Sequence, residues 1–427
     1  MKFALANWGT RGEIEPFVAL GRELARNGHD VRLAAAPEMV AFAETAGIEA
    51  VGYGPELATI LDPHRDYWAT FYSTPWRIRT LRRLLREVSD PLSEYRDQVG
   101  ATLMALTDGA DVLMTGMNFE DVAANVAEHR DIPLATLFHF PMRANGQLVR
   151  YMPTRWARAT MTFFEWMSWR GRRKADDDAQ RRELGLPKAT MPWPMRIADR
   201  GSLEIQAYDE ACFPGLAAEW AHWNQQIPPK RPFVGALTMA LPTDADDDVA
   251  AWIAEGSPPI CFGFGSVGVE SAADTLAMIS SACAQLGERA LVCAAGSDFS
   301  RAQPSDHVMI VGQANYAAIF PRCKAVVHHG GSGTTNAVMR AGVPGLILWT
   351  LPDQSLWAAR LRRLKVGTGR RFSTTTAKTL VADLRAILAP NIVARASELA
   401  TRMTSPADSV AITAGLAETY VRGAKVV

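Results

Sequence analysis

Short β-rich runs separated by helical stretches occur in this chain in two series, with a break between them. That double series restricts the fold more than any other feature. The first series opens with KFALANW, the turn GTRG, and EPFVALGRELARNG, whose apolar residues recur at helical spacing before a Gly stop. DVRLAAA then returns as a second strand, and DVLMTG (111–116), PLATLFH (133–139) and LEIQAYD (203–209) extend the pattern. Strands alternating with helices predict a parallel sheet covered on both faces. Around residues 236 to 258 the chain turns acidic and Pro-bearing, the composition of a linker. PICFGFGS, ALVCAAG, HVMIVG, KAVVHH and PGLILW then begin a second series. A chain of 427 residues exceeds one ordinary core. The expectation is an α/β protein of two Rossmann-like, doubly wound parallel-sheet domains facing across a cleft, residues 1–240 and 241–404. A helix over 405–427 should pack back on the N-terminal domain.

Composition removes several function classes. Hydrophobic residues make up 48% and charged residues 21%, as in a globular protein, and Lys plus Arg equals Asp plus Glu at 45 each. No net field would draw nucleic acid. The N-terminal apolar run meets Gly, Arg and Glu too soon for a signal peptide. No apolar stretch approaches the ~20 residues of a membrane span. Cys212, Cys261, Cys283, Cys293 and Cys323 have no CxxC spacing and predict buried thiols in a reducing cytoplasm rather than a metal site.

In open α/β sheets, ligands bind where loops leave the C-terminal ends of strands. HHGGSGTTNAVMRAGVP (328–344) follows the strand KAVV and opens a helix. Glycines let backbone approach a ligand, and the free N–H groups and positive dipole end of the helix form an anion site over Ser332, Gly333 and Thr334. His328 is placed to donate a hydrogen bond to a diphosphate; a tight turn with an N-cap at Ser332 or Thr334 is the plainer alternative. GFGSVG (263–268) matches GxGxxG, the dinucleotide fingerprint, and Ser266 is a hydroxyl donor to a phosphate in either case. In that fingerprint an acid should close the next strand, about 20 residues on; the next strand is ALVCAAG, and the candidate after it, Asp298, follows Gly268 by 30. GTRGEIEP (9–16) places Thr10, Arg11 and Glu13 after the first strand, where Glu13 is either a carboxylate at a cleft mouth or an acid favoured in a first helical turn. Asp353 and Gln354, after PGLILW, pair a carboxylate with an amide, a set suited to sugar hydroxyls or to a helix cap.

Two segments depart from the βα rhythm. Residues 151–174 concentrate Trp156, Phe163, Phe164, Trp166 and Trp169 among basic residues, and WRIRTLRRLLREV sets Arg77, Arg79, Arg82, Arg83 and Arg86 on a helical pattern. Core-facing aromatics with solvated arginines are one explanation. A lipophilic acceptor site near a membrane surface is the other.

Together these residues resemble the inverting nucleotide-sugar-dependent glycosyltransferases of the GT-B fold, and among them the bacterial, actinobacterial enzymes that glycosylate antibiotics and glycolipids. The likeness rests on residues 311–371, VGQANYAAIF through VGTGRRF, and on GTRGEIEP. It implies an N-terminal acceptor domain and a C-terminal donor domain. Donor diphosphate contacts would fall to His328, His329, Gly330, Gly331, Ser332, Gly333 and Thr334, with Thr10, Arg11, Gly12 and Ser266 assisting. Gln313, Asn315 and Tyr316 would line the nucleoside pocket, and Asp353 and Gln354 the sugar. Glu13 would be the general base and His328 would stabilise the leaving diphosphate. The partners implied are a UDP- or dTDP-linked hexose or 6-deoxyhexose (rhamnose in some relatives) and a lipophilic hydroxyl acceptor, with no metal and no other cofactor. The implied location is cytoplasmic, with peripheral contact at the inner face of a membrane.

Three positions depart from that family's pattern. Glu13 stands for an aspartate, Asn336 for a glutamate that contacts the ribose, and Trp349 for a proline near the sugar pair. Two other classes compete: an NAD(P)-dependent oxidoreductase using GFGSVG, and a silent sugar-nucleotide binding protein without a working base.

Overall fold

The computed structural model describes residues 1–148, 152–226, 228–264, 271–294 and 306–424. The chain divides into two compact units: Met1–Leu237 together with the chain from Ser405 on, and Thr238–Thr404.

The first unit holds strands β1 (Lys2–Asn7), β2 (Asp30–Ala35), β3 (Ala50–Gly52), β4 (Val112–Thr115), β5 (Leu134–Phe138) and β6 (Leu203–Gln206), in the order β3-β2-β1-β4-β5-β6. Every pairing is parallel, with Phe3 opposite Val31 on one side and Val112 on the other. β1, β4 and β5 are buried almost throughout, as parallel strands covered on both faces must be. The helix Arg11–Arg26 buries Ile14, Phe17, Val18 and Leu24, an i, i+3, i+4 stripe, and ends at Asn27 and Gly28.

The second unit repeats the architecture with β7 (Ile260–Gly263), β8 (Ala290–Cys293), β9 (Val308–Val311), β10 (Ala325–His328), β11 (Gly345–Trp349) and β12 (Gly367–Arg371), again all parallel, in the order β12-β11-β10-β7-β8-β9. Its core joins Ile260, Phe262, Val292, Val327 and Leu346 from the strands to Ile279, Leu380 and Leu384 from the helices.

In each sheet the strand order reverses once, between β1 and β4 in the first and between β7 and β10 in the second. A crevice opens outside the C-terminal ends of strands at such a point. It brings the β1 loop, with Glu13 beyond it, and the β10 loop 329–331 to the equivalent place in their own sheets.

The helix Pro406–Ala424 belongs to the first unit. Tyr420 Oη donates to the Leu134 carbonyl at 3.1 Å, and Glu418 accepts from Asn27 at 2.9 Å and pairs with His29 at 3.1 Å. The five cysteines are free and buried. Among the described residues no helix is long and apolar enough to cross a membrane.

The aromatic segment divides between its two explanations. Trp169 is buried, donating to Asp177 at 2.9 Å, so packing accounts for it. Trp156, Phe163, Phe164 and Trp166, on the helix Thr154–Ser168, are exposed, and core packing does not account for those four.

Candidate functional site

The loop after β10 is shaped by what lies beneath it. Gly330 has φ +98°, and a Cβ there would come within 2.6 Å of Ile347 Cγ2 and 3.1 Å of Gln354 Cβ, so only glycine lets the backbone settle onto β11 and the helix Pro352–Leu364. Gly331 is the N-cap of the helix Ser332–Ala341, and Thr335 returns both its N–H (2.9 Å) and its hydroxyl (2.8 Å) to the Gly331 carbonyl. The N–H groups of Ser332, Gly333 and Thr334 therefore have no acceptor within the helix. A Cβ on Gly333 would meet nothing within 4 Å, so this first turn faces open space. A helix N-terminus of this kind can hold an anion.

The histidines sit differently from what the sequence leads one to expect. His328 has no exposed surface, and its Nδ1 accepts the Gly330 N–H at 3.2 Å, which puts the remaining proton on Nε2. Burial, with His329 beside it, pulls its pKa down to about 3. The ring thus lies beneath the loop as a neutral group shaping Gly330, not on the surface as a direct diphosphate donor. His329 is half-buried with its Nδ1 enclosed; burial lowers its pKa to about 4, opposed by a hydrogen bond with the Gly263 backbone.

These two histidines carry a pH prediction. The folded state keeps both neutral while the unfolded chain takes up protons near pH 6.5, so the unfolded state binds more protons and stability falls as pH drops below that value. Melting measured from about pH 7 down to about pH 5, where carboxylates are still ionised, should show a declining Tm. His328→Asn should flatten that decline; an unchanged slope would mean that the ring protonates in place.

Other residues expected to meet the donor are held by neighbours. Gln354 is buried, and its Oε1 accepts from the N–H groups of Thr350 (2.8 Å) and Leu351 (3.1 Å), completing the cap of its own helix. That carbonyl oxygen is committed to backbone; the Nε2 amide makes no hydrogen bond among the described residues. Asp353 is half-buried in the first turn of that helix, and Trp349 half-buried at the end of β11. Asn336 is fully buried, donating to the Ser332 carbonyl at 2.9 Å, which removes it from a ribose as it stands. Gln313 is exposed, while Asn315 and Tyr316 are half-buried, with Tyr316 stacked on Phe320 at 4.5 Å. Asp246 holds this segment: its Oδ1 accepts the Asn315 N–H at 2.9 Å and the Thr243 hydroxyl at 2.7 Å. Sequence reasoning took Asp246 only as part of an acidic linker. Ser266 and most of GFGSVG, with Asp298, lie outside the described residues.

On the first unit, Glu13 is half-buried in the first turn of its helix, and its Oε2 accepts the Thr10 hydroxyl at 2.6 Å. Gly9, at φ +151°, leaves room for it, since a Cβ there would lie 2.8 Å from Glu13 Cβ and Cγ. Buried Asn7 donates to the Glu13 carbonyl at 2.9 Å, and Asn118 donates to the Trp8 carbonyl at 2.7 Å, so the turn is pinned from below. Arg11 pairs with Glu15 at 3.1 Å and lies over Phe42, and Gly12 is exposed. Thr10 and Arg11, expected to assist a diphosphate, are thus engaged with their own unit. Asn7 carried no signal in the sequence, because an Asn within an apolar strand gives no clue to the carbonyl it will meet.

Two six-stranded parallel sheets, each with a prepared loop at its switch point, define a GT-B architecture. Comparison with known proteins agrees. Residues 3–108 match the glycosyltransferase family 28 N-terminal domain, and residues 288–418 match the erythromycin biosynthesis protein CIII-like C-terminal domain. An uncharacterized glycosyltransferase of Mycobacterium tuberculosis is 53% identical over 427 residues, covering 100% of both chains. The O-mycaminosyltylonolide 6-deoxyallosyltransferase of Streptomyces fradiae is 28% identical over 421 residues, covering 93% of each. The crystal structure of the glycosyltransferase VinC in complex with dTDP superposes with a TM-score of 0.65 at 19% identity, covering 99% of this chain and 100% of that one. The chain belongs to the glycosyltransferases and has the GT-B fold.

Proposed function

We propose that the protein moves a hexose or 6-deoxyhexose from a UDP- or dTDP-linked donor to a hydroxyl of a lipophilic acceptor, inverting the anomeric centre. The observation that carries this reading is the open first turn at Ser332–Thr334, a helix N-terminus whose N–H groups have no acceptor within the helix and whose positive dipole end suits a diphosphate. The dTDP bound to a structural neighbour of the same fold favours a pyrimidine nucleotide.

The reaction is a single in-line displacement. Glu13 takes the proton of the acceptor hydroxyl as that oxygen attacks the anomeric carbon, and the bond to the β-phosphate oxygen breaks. Charge then accumulates on the leaving diphosphate, where amide dipoles already in place stabilise it without reorganising. His328 acts through Gly330, holding the loop that leads into that first turn. Asp353 and the Gln354 amide are the groups left to meet sugar hydroxyls, and Gln313, Asn315 and Tyr316 the base and ribose, with Asp246 fixing their backbone. The exposed aromatics of the helix Thr154–Ser168 favour a lipophilic acceptor.

A thermal-shift panel with UDP, dTDP, GDP and NADH tests the donor half. A ligand at about 100 times its Kd stabilises the folded state by ~2.7 kcal/mol, several degrees in Tm. A rise with dTDP or UDP is expected; a rise with NADH alone would replace this reading with the oxidoreductase one.

A further inference from the structure

Helices Leu57–Ser73 and Ile78–Glu94 pack on each other as a hairpin in the first unit, and each buries a single residue, Ile60 and Leu84. Val88 and Leu92 pack against the unit's core, which anchors one face of the second helix. The opposite face carries Arg79, Arg82, Arg83 and Arg86, spaced i, i+3, i+4, i+7, with Arg77 just before the helix; all five are exposed. Arg83 reaches Glu87 at 3.5 Å, and the other four side chains have no partner among the described residues. Like charges three and four residues apart repel, so the stripe weakens its own helix.

Around the bend of the hairpin stand Phe71, Trp76 and Ile78, at 41%, 72% and 57% exposure. From Phe71 to Arg86 there are five arginines and no acid, a local charge of +5 in a chain whose net charge is zero. A cationic stripe beside exposed aromatic and aliphatic side chains is the composition of an interfacial element: guanidinium groups meet anionic headgroups while apolar side chains enter the acyl boundary.

We propose that this hairpin docks the enzyme on an anionic lipid surface. Ile78 and Phe71 decide against nucleic acid, whose phosphates would take the arginines but whose grooves offer an exposed Ile little. None of its residues is among those assigned above to donor or base, so the proposal depends on neither the sugar nor the acceptor. It also gives the enzyme a physical means of reaching a hydroxyl on a membrane-resident molecule.

Sedimentation of the purified full chain with vesicles of phosphatidylcholine, with and without phosphatidylglycerol, tests it. Binding should require phosphatidylglycerol and weaken as salt is raised. Each arginine near a charged membrane contributes roughly fivefold in affinity, so the variant Arg77→Gln/Arg79→Gln/Arg82→Gln/Arg86→Gln should bind at least ~10-fold more weakly. Trp76→Ser should lose several-fold at any salt, and wild-type melting of both variants would show that they fold. Failure of the wild type to sediment with phosphatidylglycerol, or equal binding by the quadruple variant, would overturn the proposal. So would tighter binding to a single-stranded oligonucleotide at the same salt, or a dimer in light scattering that Trp76→Ser dissolves.

Discussion

Glu13→Gln is expected to lower turnover by ~10²–10⁴-fold while leaving the dTDP- or UDP-induced rise in Tm intact, because a general base contributes about that much and the amide keeps the side chain's size. The geometry makes the comparison clean. Glu13 is set by Gly9 behind it, Asn7 under its carbonyl and the Thr10 hydroxyl on its Oε2, and a Gln oxygen can accept that same hydroxyl. What the amide cannot do is take a proton. Release of dTDP from a dTDP-hexose in the presence of a lipophilic phenol, compared with wild type at saturating donor, reads the difference. Undiminished turnover would remove Glu13 from the base role and move the search to other groups at the first switch point.

Thr10 refines this expectation. The Thr10 hydroxyl, donating to Glu13 Oε2 at 2.6 Å, fixes the orientation of the carboxylate. Thr10→Val should therefore lower kcat with the donor KM unchanged, and Thr10→Ser should restore it. If Thr10→Val instead raised only the donor KM, the hydroxyl would be a diphosphate ligand after all.

The two sheets could be read from the sequence because parallel strands buried on both faces are continuous apolar runs, as in KAVV and LILW. β3 and β12 escaped for the opposite reason. AVG is short and mostly exposed, and GTGRR has two glycines and two arginines, so neither carries an apolar period although both complete a sheet edge. The glycine turn at 330–334 was legible, since it follows an apolar strand and opens a helix. The side-chain roles were not. Whether His328 lies on or under its loop, whether Gln354 spends its oxygen on Leu351, and whether Asn336 is buried depend on packing between segments distant in sequence. Asp246 shows this most directly, since its partner Asn315 lies in the loop after β9, far along the chain.

The largest stability effect is expected at a group that takes no part in the chemistry. Arg143, 6% exposed in the loop after β5, donates Nη1 and Nη2 to Glu120 at 3.0 and 2.6 Å and Nε to Glu204 on β6. Glu204 is also bonded by Arg231 at 2.6 Å, and Glu120 by Trp193 at 3.0 Å. Burial works against the charge of Arg143, but the two carboxylates outweigh it and hold its pKa above the usual value. Arg143→Met would keep the volume and strand two buried carboxylates short of a cation. Breaking a buried pair from one side costs about 3–5 kcal/mol, on the order of 10 °C in the melting of a unit this size by calorimetry. Burial pushes the Glu204 carboxyl up, and Arg143 and Arg231 bring it below the ordinary range. Its contribution is thus present above the unfolded carboxylate pKa near 4.3 and lost as pH falls through the lower folded value. In the variant that depression shrinks, and protonation relieves the stranded charge. The gap in Tm between wild type and Arg143→Met should therefore narrow as pH is lowered from about 7 to about 4. A gap that stayed constant over that range would locate the loss in packing around Phe138, over which the guanidinium lies, and not in the ion pairs.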